Sequence, residues 1–329
     1  MAYSPIDKPN TQFSPLLYTG NSSNGHEING LDFQPDFVWI KSRNQADFDH
    51  MLFDSVRAST TAQPFDLRSN KNNLESTDTS GLVSFDSDGF TLNSGGYVNT
   101  GSFASWNWKK SATSGFDIVT ATGTGSAKTI AHSLSAVPQL IISKEKSGSV
   151  NDWAVYHESL GNNKKLTLNT TNAVGTDSCW NNTTPTSSVF SVSGASVVNR
   201  NSSTYVYYLF SEKKGYSKFG SYDSNSNANG PFVYLGFKPA LVIVKCTTAA
   251  ESWGLVDSKR APINLTSVAV LNANTNGTEG GAEIDLLSNG FKLTAVSGQF
   301  NKSGSHSYIY MAFAENPLVA SNYVPTTAR

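Results

Sequence analysis

The segment Pro35-Asp36-Phe37-Val38-Trp39-Ile40-Lys41 decides the fold, because the chain repeats its pattern twice more. It returns as Pro138-Gln139-Leu140-Ile141-Ile142-Ser143-Lys144 and as Pro239-Ala240-Leu241-Val242-Ile243-Val244-Lys245. Proline and lysine are six positions apart in each copy, and the prolines are separated by 103 and 101 residues. A solenoid has units of roughly 20–50 residues, so this period is too long for one. The sequence therefore predicts three tandem domains of about 100 residues, each with its own core.

Further landmarks recur in the same order. The full set is Pro35, Lys41, Asp54, Arg57 and Phe90 in the first copy, Pro138, Lys144, Trp153 and Phe190 in the second, and Pro239, Lys245, Trp253, Asp257, Arg260 and Phe291 in the third. Asn99, Asn199 and Asn301 precede the closing strand of each copy. The second copy departs from the pattern, with His157 in place of the aspartate and Leu160 in place of the arginine.

Composition and patterning predict an all-β chain. Charged residues make up 15% of the sequence, against roughly 25% in ordinary soluble proteins. Ser, Thr, Asn and Gly take their place, and these residues favour turns over helix. The apolar runs are short and bounded by polar clusters, and the runs at 38–40, 140–142 and 241–244 predict strands buried on both faces. One or two helical turns are expected near 48–55. The fold class is three tandem β-sandwich, jelly-roll-like domains.

The expected boundaries follow from the repeats. Residues 1–17 form an N-terminal arm, 18–110 the first sandwich, 114–213 the second, 215–316 the third, and 317–329 a C-terminal tail. The arms are either unstructured linkers or segments that dock onto a neighbour. The linkers between copies are short and polar, which predicts close neighbours, for example stacked end to end.

The sequence predicts no catalytic residue, no cofactor and no metal site. Hydrolysis of sugars needs two carboxylates roughly 5–10 Å apart. Asp54 and Asp257 are the most regular acids, but each precedes an arginine by three residues, which favours a turn in which the aspartate caps backbone N–H groups. The five histidines are scattered, no Gly-x-Ser-x-Gly motif occurs, and the two cysteines form no framework. We predict that the chain is not an enzyme.

Binding is the other possibility. Trp180, Asn181 and Asn182 lie in a polar loop that only the second copy has, where an exposed tryptophan could stack on a glycan. The alternative is a loop aromatic that folds over the edge of its own domain. Trp39, Trp153 and Trp253 stand at repeat landmarks and are predicted to be core, and Trp106 and Trp108 to pack against a neighbouring domain. With a net charge of −1 no nucleic-acid partner is expected, and no apolar run is long enough for membrane insertion.

A resemblance covers nearly the whole chain. The stretches Leu17–Asn21 and Ile28–Lys41, then Phe53-Asp54-Ser55-Val56-Arg57 and Val83–Leu92, resemble a recurrent domain of structural proteins of tailed bacteriophages, many of them marine. The end of the chain, Phe313-Ala314-Glu315-Asn316-Pro317 and Val324–Arg329, is similar to the same family. In the second copy the resemblance is weaker.

That resemblance implies a virion structural protein, most often a tail fibre or tail appendage that contributes to host attachment. It implies assembly in the host cytoplasm, other virion proteins as partners, a homo-oligomer (a trimer, by analogy with fibres) and a host-surface glycan as a possible ligand. The runner-up is a capsid decoration or head-fibre protein without receptor function, and a third hypothesis is a polysaccharide depolymerase.

Overall fold

The computed structural model describes residues 4–57, 65–77, 79–261 and 267–319, and the chain is all-β with three one-turn helices among these residues. One strand pattern occurs three times. We call the three parts lobe 1 (residues 13–108), lobe 2 (116–210) and lobe 3 (217–317).

The elements of lobe 1 follow a 3-10 turn at Pro9–Thr11. They are β1 (Phe13–Asn21), β2 (His26–Asn29), β3 (Phe37–Ser42), β4 (Met51–Asp54), β5 (Phe65–Asp66), β6 (Ser76–Thr77), β7 (Leu82–Asp86), β8 (Gly89–Leu92), α1 (Gly96–Asn99) and β9 (Thr100–Trp108).

Lobe 2 repeats this order without a described strand equivalent to β7, and its main sheet has more strands. Its elements are β10 (Phe116–Thr122), β11 (Lys128–Ala131), β12 (Leu140–Ser147), β13 (Ala154–His157), a 3-10 turn at Glu158–Leu160, β14 (Lys164–Thr167), β15 (Gly175–Thr176), β16 (Val189–Val192), α2 (Ser196–Asn199) and β17 (Thr204–Phe210).

Lobe 3 has the same order again. Its elements are β18 (Ser217–Asp223), β19 (Phe232–Tyr234), β20 (Phe237–Cys246), β21 (Gly254–Asp257), β22 (Val268–Asn272), β23 (Gly280–Ala282), β24 (Ile284–Leu287), β25 (Gly290–Leu293), α3 (Gly298–Asn301) and β26 (Ser307–Pro317).

Each lobe pairs a main antiparallel sheet with a small one, and in lobe 1 the strands β5 and β6 form a further two-stranded sheet. The main sheets have the orders β1-β9-β3-β4, β10-β17-β12-β13-β14-β15 and β18-β26-β20-β21-β22-β23. The small sheets are β2-β8-β7, β11-β16 and β19-β25-β24. Phe37 pairs with Trp108, Leu140 with Phe210 and Leu241 with Phe313. Because each of the first three lies two residues after its landmark proline, they occupy equivalent positions in the three lobes. In lobe 3 the strand starts earlier, at Phe237, and bulges at Pro239.

The main sheet of each lobe is buried on both faces, as its continuous apolar runs predict. In lobe 1, Val38 and Ile40 face a core shared with the small sheet of that lobe. Phe37 and Trp39 face the other way, into a cluster that takes residues from all three lobes. The chain therefore has one core inside each lobe and a fourth between them.

A buried asparagine fixes the same loop in each lobe. Asn99 accepts from the Asn21 N–H at 3.0 Å and donates to the carbonyls of Ser23 and Asn93, both at 2.9 Å. The amides of Asn199 and Asn301 make the equivalent bonds. Satisfying three backbone groups with one amide explains why the residue before each closing strand is asparagine.

The lobes form a closed ring with approximate threefold symmetry. Equivalent residues join lobe 2 to lobe 1, lobe 3 to lobe 2 and lobe 1 to lobe 3, for instance through the backbone bonds Glu75 N→Lys146 O, Val174 N→Thr247 O and Glu279 N→Arg43 O. The lobes are close neighbours, but the expected end-to-end stack is wrong. One face of each main sheet packs inside its own lobe, and the other face meets those of the other two lobes in the central cluster.

Two other expectations need correction. The predicted arm at 1–17 is part of the fold where described, since β1 begins at Phe13, and Phe13 and Ile6 are buried in the central core. The helical turn expected near 48–55 is instead strand β4, all four residues of which are buried. The predicted tail lies outside the described residues after 319.

Candidate functional site

The joint between lobes 1 and 2 is built on Asp54. Its Oδ1 accepts from the N–H groups of Val56 and Arg57 at 3.1 and 2.8 Å, which is the predicted turn. Its Oδ2 accepts from Arg57 Nε at 2.5 Å and from the Tyr208 hydroxyl of lobe 2 at 2.8 Å. The carboxylate is fully buried, and its two oxygens accept four hydrogen bonds. Its role here is to join two lobes.

The joint between lobes 3 and 1 repeats this arrangement. Asp257 accepts from the N–H groups of Lys259 and Arg260 at 3.1 and 2.9 Å, and from Arg260 Nε at 2.6 Å. Trp106 of lobe 1, at the position equivalent to Tyr208, donates its Nε1–H to Asp257 Oδ2 at 3.1 Å. This confirms the prediction that Trp106 packs against a neighbouring lobe.

A second carboxylate extends each joint. Glu75 lies 3.3 Å from Arg57 Nη1 and 3.4 Å from Lys146 Nζ of lobe 2. Glu279 lies 3.5 Å from Arg260 Nη1 and 2.7 Å from Arg43 Nε of lobe 1. Each of the two joints therefore holds a chain of two acids and two bases that crosses from lobe to lobe.

The joint between lobes 2 and 3 has none of these charges. His157 replaces the aspartate, accepts from Ser159 N–H at Nδ1, and lies with Nε2 3.2 Å from the Tyr310 carbonyl of lobe 3. Leu160 and Val174, in place of the arginine and the second acid, pack against the central core. Burial lowers the pKa of His157 to about 4, so the ring is neutral at pH 7.

Two of the three landmark lysines connect their lobe to a loop of the preceding one, and the third, Lys41, donates to the Ser42 carbonyl of its own lobe. Lys144 donates to the carbonyls of Asn151 and of Asn72 in lobe 1, and Lys245 donates to those of Glu251 and of Thr171 in lobe 2. Burial lowers the pKa of Lys41, Lys144 and Lys245 to about 8.

Two landmark tryptophans also connect neighbouring lobes. Trp153 Nε1 donates to the Arg68 carbonyl of lobe 1 and Trp253 Nε1 to the Thr167 carbonyl of lobe 2, both at 3.0 Å. In lobe 1 the equivalent residue is His50. Its Nδ1 accepts a hydrogen bond from the Nε1–H of Trp39, and its Nε2 lies 3.0 Å from the Asn272 carbonyl oxygen of lobe 3.

The geometry explains why these landmarks recur. They connect lobes, and their polar atoms are used by protein partners rather than presented to solvent. Burial raises the pKa of Tyr208 well above its usual value. For Arg57, burial would lower the pKa, but Asp54, Tyr208 and Glu75 outweigh it and the pKa is raised. Among the described residues no cluster of His, Cys, Asp and Glu could hold a metal ion, and no helix is long and apolar enough to cross a membrane.

Two cavities among the described residues are of interest. On the ring axis, aromatic and aliphatic side chains of all three lobes enclose a space of about 10 Å³, which is near the lower limit for one water and has no polar lining. A groove of about 270 Å³ lies between β1 and the segment Ala314–Asn316, with Ser258 and Lys259 at its side.

The loop tryptophan predicted as a possible glycan platform is buried. Trp180 is 2% exposed, and its ring lies 5.8 Å from that of Tyr156 in the core of lobe 2. Asn181 and Asn182 are exposed in left-handed turn conformations. Trp180 therefore follows the alternative interpretation, in which the side chain packs onto its own lobe.

Sequence reasoning missed an exposed aromatic pair in lobe 3. Phe232 and Tyr234 alternate with the buried Val233 on the edge strand β19, and they are 47% and 50% exposed. Lys218 Nζ lies 5.6 Å from the Tyr234 ring centre and donates to the Tyr234 carbonyl at 2.8 Å. Lys292 stands opposite Phe232 on β25. Aligning the copies would have revealed the pair, because the equivalent positions are Glu27 and Asn29 in lobe 1 and Thr129 and Ala131 in lobe 2.

Fold and site together define an all-β protein whose three similar lobes close into a ring within one chain. The chain belongs to the family described as a domain of unknown function, DUF7483, whose model matches residues 8–317 and so takes in all three lobes. No curated protein matches the chain.

Proposed function

We propose that this protein is a structural component of a bacteriophage virion, a tail fibre or tail-associated appendage that contributes to attachment to the host surface. The resemblance of its repeats to tailed-phage structural proteins is the basis of the proposal. The observation that supports it best is the closed ring, in which charged groups at two joints and apolar groups at the third are buried between lobes. Such a ring is a rigid building block, as a particle surface requires.

This structural role requires no catalytic activity. Asp54 and Asp257, the acids considered for a depolymerase, are buried and bonded to arginine and to a neighbouring lobe. We therefore propose a non-enzymatic protein of the virion, assembled in the host cytoplasm, with other virion proteins as partners and without a nucleic-acid partner or membrane insertion.

A second candidate is a capsid decoration or head-fibre protein. The approximate threefold symmetry within one chain favours it, because such a ring can occupy a threefold position of an icosahedral shell. The trimer expected by analogy with fibres stays a prediction, and the mass in solution tests it. A mass of 35.3 kDa would confine the threefold arrangement to one chain.

Immunogold labelling of purified particles of the phage that encodes the chain tests the proposal. Gold at the tail or its appendages supports the fibre role, and gold spread over the capsid supports decoration. Mass spectrometry of the same particles gives the decisive negative result, since absence of the protein from the virion would overturn both roles.

A further inference from the structure

The outer surface of lobe 3 differs from those of lobes 1 and 2 at four places that lie together. Two are the exposed aromatics Phe232 and Tyr234 of β19. The others are Lys218 on β18 and Lys292 on β25. The equivalent positions are Ser14, Glu27, Asn29 and Thr91 in lobe 1 and Asp117, Thr129, Ala131 and Ser191 in lobe 2. A change at all four positions in one lobe is not required by the shared fold.

The aromatic rings form one platform. Side chains two residues apart on a strand share a face and are about 6.5–7 Å apart. Gly290 on β25 is required by the close approach of the Val233 carbonyl, to which a Cβ would lie at 2.1 Å, and that Cβ would also lie 3.2 Å from Cε2 of Phe232. The face of an aromatic ring carries partial negative charge, so it attracts the polarised C–H groups of a sugar ring.

The lysines add positive charge at the edges of this platform. Lys218 donates to the Tyr234 carbonyl, which fixes its ammonium group 5.6 Å from the Tyr234 ring centre. Lys292, opposite Phe232 on β25, donates to the Gly230 carbonyl. An ammonium has three donors, so each retains capacity for a ligand. Two carboxylates lie nearby: Asp285 on β24 is opposite Lys292, and Glu212 is close enough to Lys218 to act on it electrostatically. The free donors of the two ammonium groups, rather than a net positive charge, therefore supply the contacts for an anionic group.

We propose that the surface formed by Phe232, Tyr234, Lys218 and Lys292 binds an acidic polysaccharide. The sugar rings pack on the two aromatics, and carboxylate, sulfate or phosphate groups of the chain pair with the lysines. This inference rests on the proposed role in attachment and names the ligand class and the lobe that binds it.

Affinity electrophoresis of the full-length protein tests the proposal. The probes are alginate, dextran sulfate and a phosphorylated mannan, with uncharged dextran as the neutral polymer. We expect retardation by at least one acidic polymer, weakened by salt, and none by dextran. Phe232→Ala with Tyr234→Ala should weaken binding at least tenfold, and Lys218→Gln with Lys292→Gln at least threefold.

The matched control is Glu27→Ala with Asn29→Ala, at the equivalent exposed positions of lobe 1, which should bind like the parent. A thermal unfolding curve for each variant shows that it is folded. Three results would overturn the proposal: no retardation by any acidic polymer, equal retardation by dextran, or unchanged binding by the aromatic double variant. Because presence in the virion is measured separately, loss of this inference leaves the structural role standing.

Discussion

Two of the three joints of the ring are charged and the third is apolar, although the backbone runs alike through all of them. At the joint of lobes 1 and 2 the four equivalent positions are Asp54, Arg57, Glu75 and Lys146, and at the joint of lobes 3 and 1 they are Asp257, Arg260, Glu279 and Arg43. At the joint of lobes 2 and 3 they are His157, Leu160, Val174 and Thr247.

We infer from this difference that the four positions act as a unit. A buried ion pair adds little net stability compared with apolar residues that fill the same space, but removing one partner leaves an unpaired buried charge. Replacing only the arginine or only the acid is therefore unfavourable, whereas replacing the whole set is tolerated. None of the four equivalent positions at the joint of lobes 2 and 3 carries a charge.

The largest expected effect comes from breaking one charged set in part. Arg57→Leu leaves Asp54 buried without its cation and should lower the free energy of unfolding by about 3–5 kcal/mol, measured by urea denaturation at pH 7. The control is Lys71→Leu, which removes a half-exposed ion pair to Asp49 at 3.8 Å and should cost less than about 1 kcal/mol. Equal costs for the two variants would mean that the charged joint is not a coupled unit.

Acid should weaken the apolar joint through His157. Because its folded pKa is about 4 and its unfolded value is about 6.5, stability is unaffected above pH 6.5. It falls as the pH drops from 6.5 to 4, since only the unfolded chain takes up the proton, by about 3 kcal/mol in all. Burial also lowers the pKa of His50, so we compare the parent with His157→Asn in denaturation at pH 7 and pH 4.5.

Hydrogen exchange locates this effect. The Val174 N–H crosses the apolar joint and the Glu75 N–H crosses a charged one. We expect acid to reduce the protection of Val174 more than that of Glu75. A pH dependence that persists unchanged in His157→Asn would exclude the imidazole as its source.

The repeat and the strand class could be predicted from the sequence, because each rests on local pattern. Consecutive apolar residues at Val38–Ile40 require burial on both faces, and the structure places one face in the lobe core and the other in the central core. The turn at Asp54 was also predictable from the arginine three residues later.

The ring itself was not predictable in this way. Which lobe Tyr208 and Trp106 contact depends on closure of three bodies, and short linkers are compatible with a stack as well as a ring. Trp180 was misleading because polar neighbours in sequence do not report what lies beneath a loop. Phe232 and Tyr234 were missed because an aromatic residue in a strand looks like a core residue, and only comparison with the equivalent positions of the other two copies distinguishes them.

Transferring the whole apolar set to a charged joint tests whether the four residues can be exchanged as a unit. The quadruple variant Asp54→His, Arg57→Leu, Glu75→Val and Lys146→Thr leaves no buried charge of the original set. We expect it to recover at least about 2 kcal/mol relative to Arg57→Leu alone in the same denaturation experiment. A quadruple variant less stable than the single one would show that the lobe 2 residues depend on other features of their joint.

The smallest effect is expected where no charge is involved. Leu160→Ala removes part of an apolar contact with the central core at the joint of lobes 2 and 3, and should cost about 1–2 kcal/mol, since Leu160 is only partly buried. This cost should be the same in 50 mM and 500 mM salt, because the loss is one of packing. We therefore expect the residue at this position to contribute more to stability where it neutralises Asp54 than where it fills space. A cost for Leu160→Ala as large as that for Arg57→Leu would place the difference in the packing of the joint rather than in its charge.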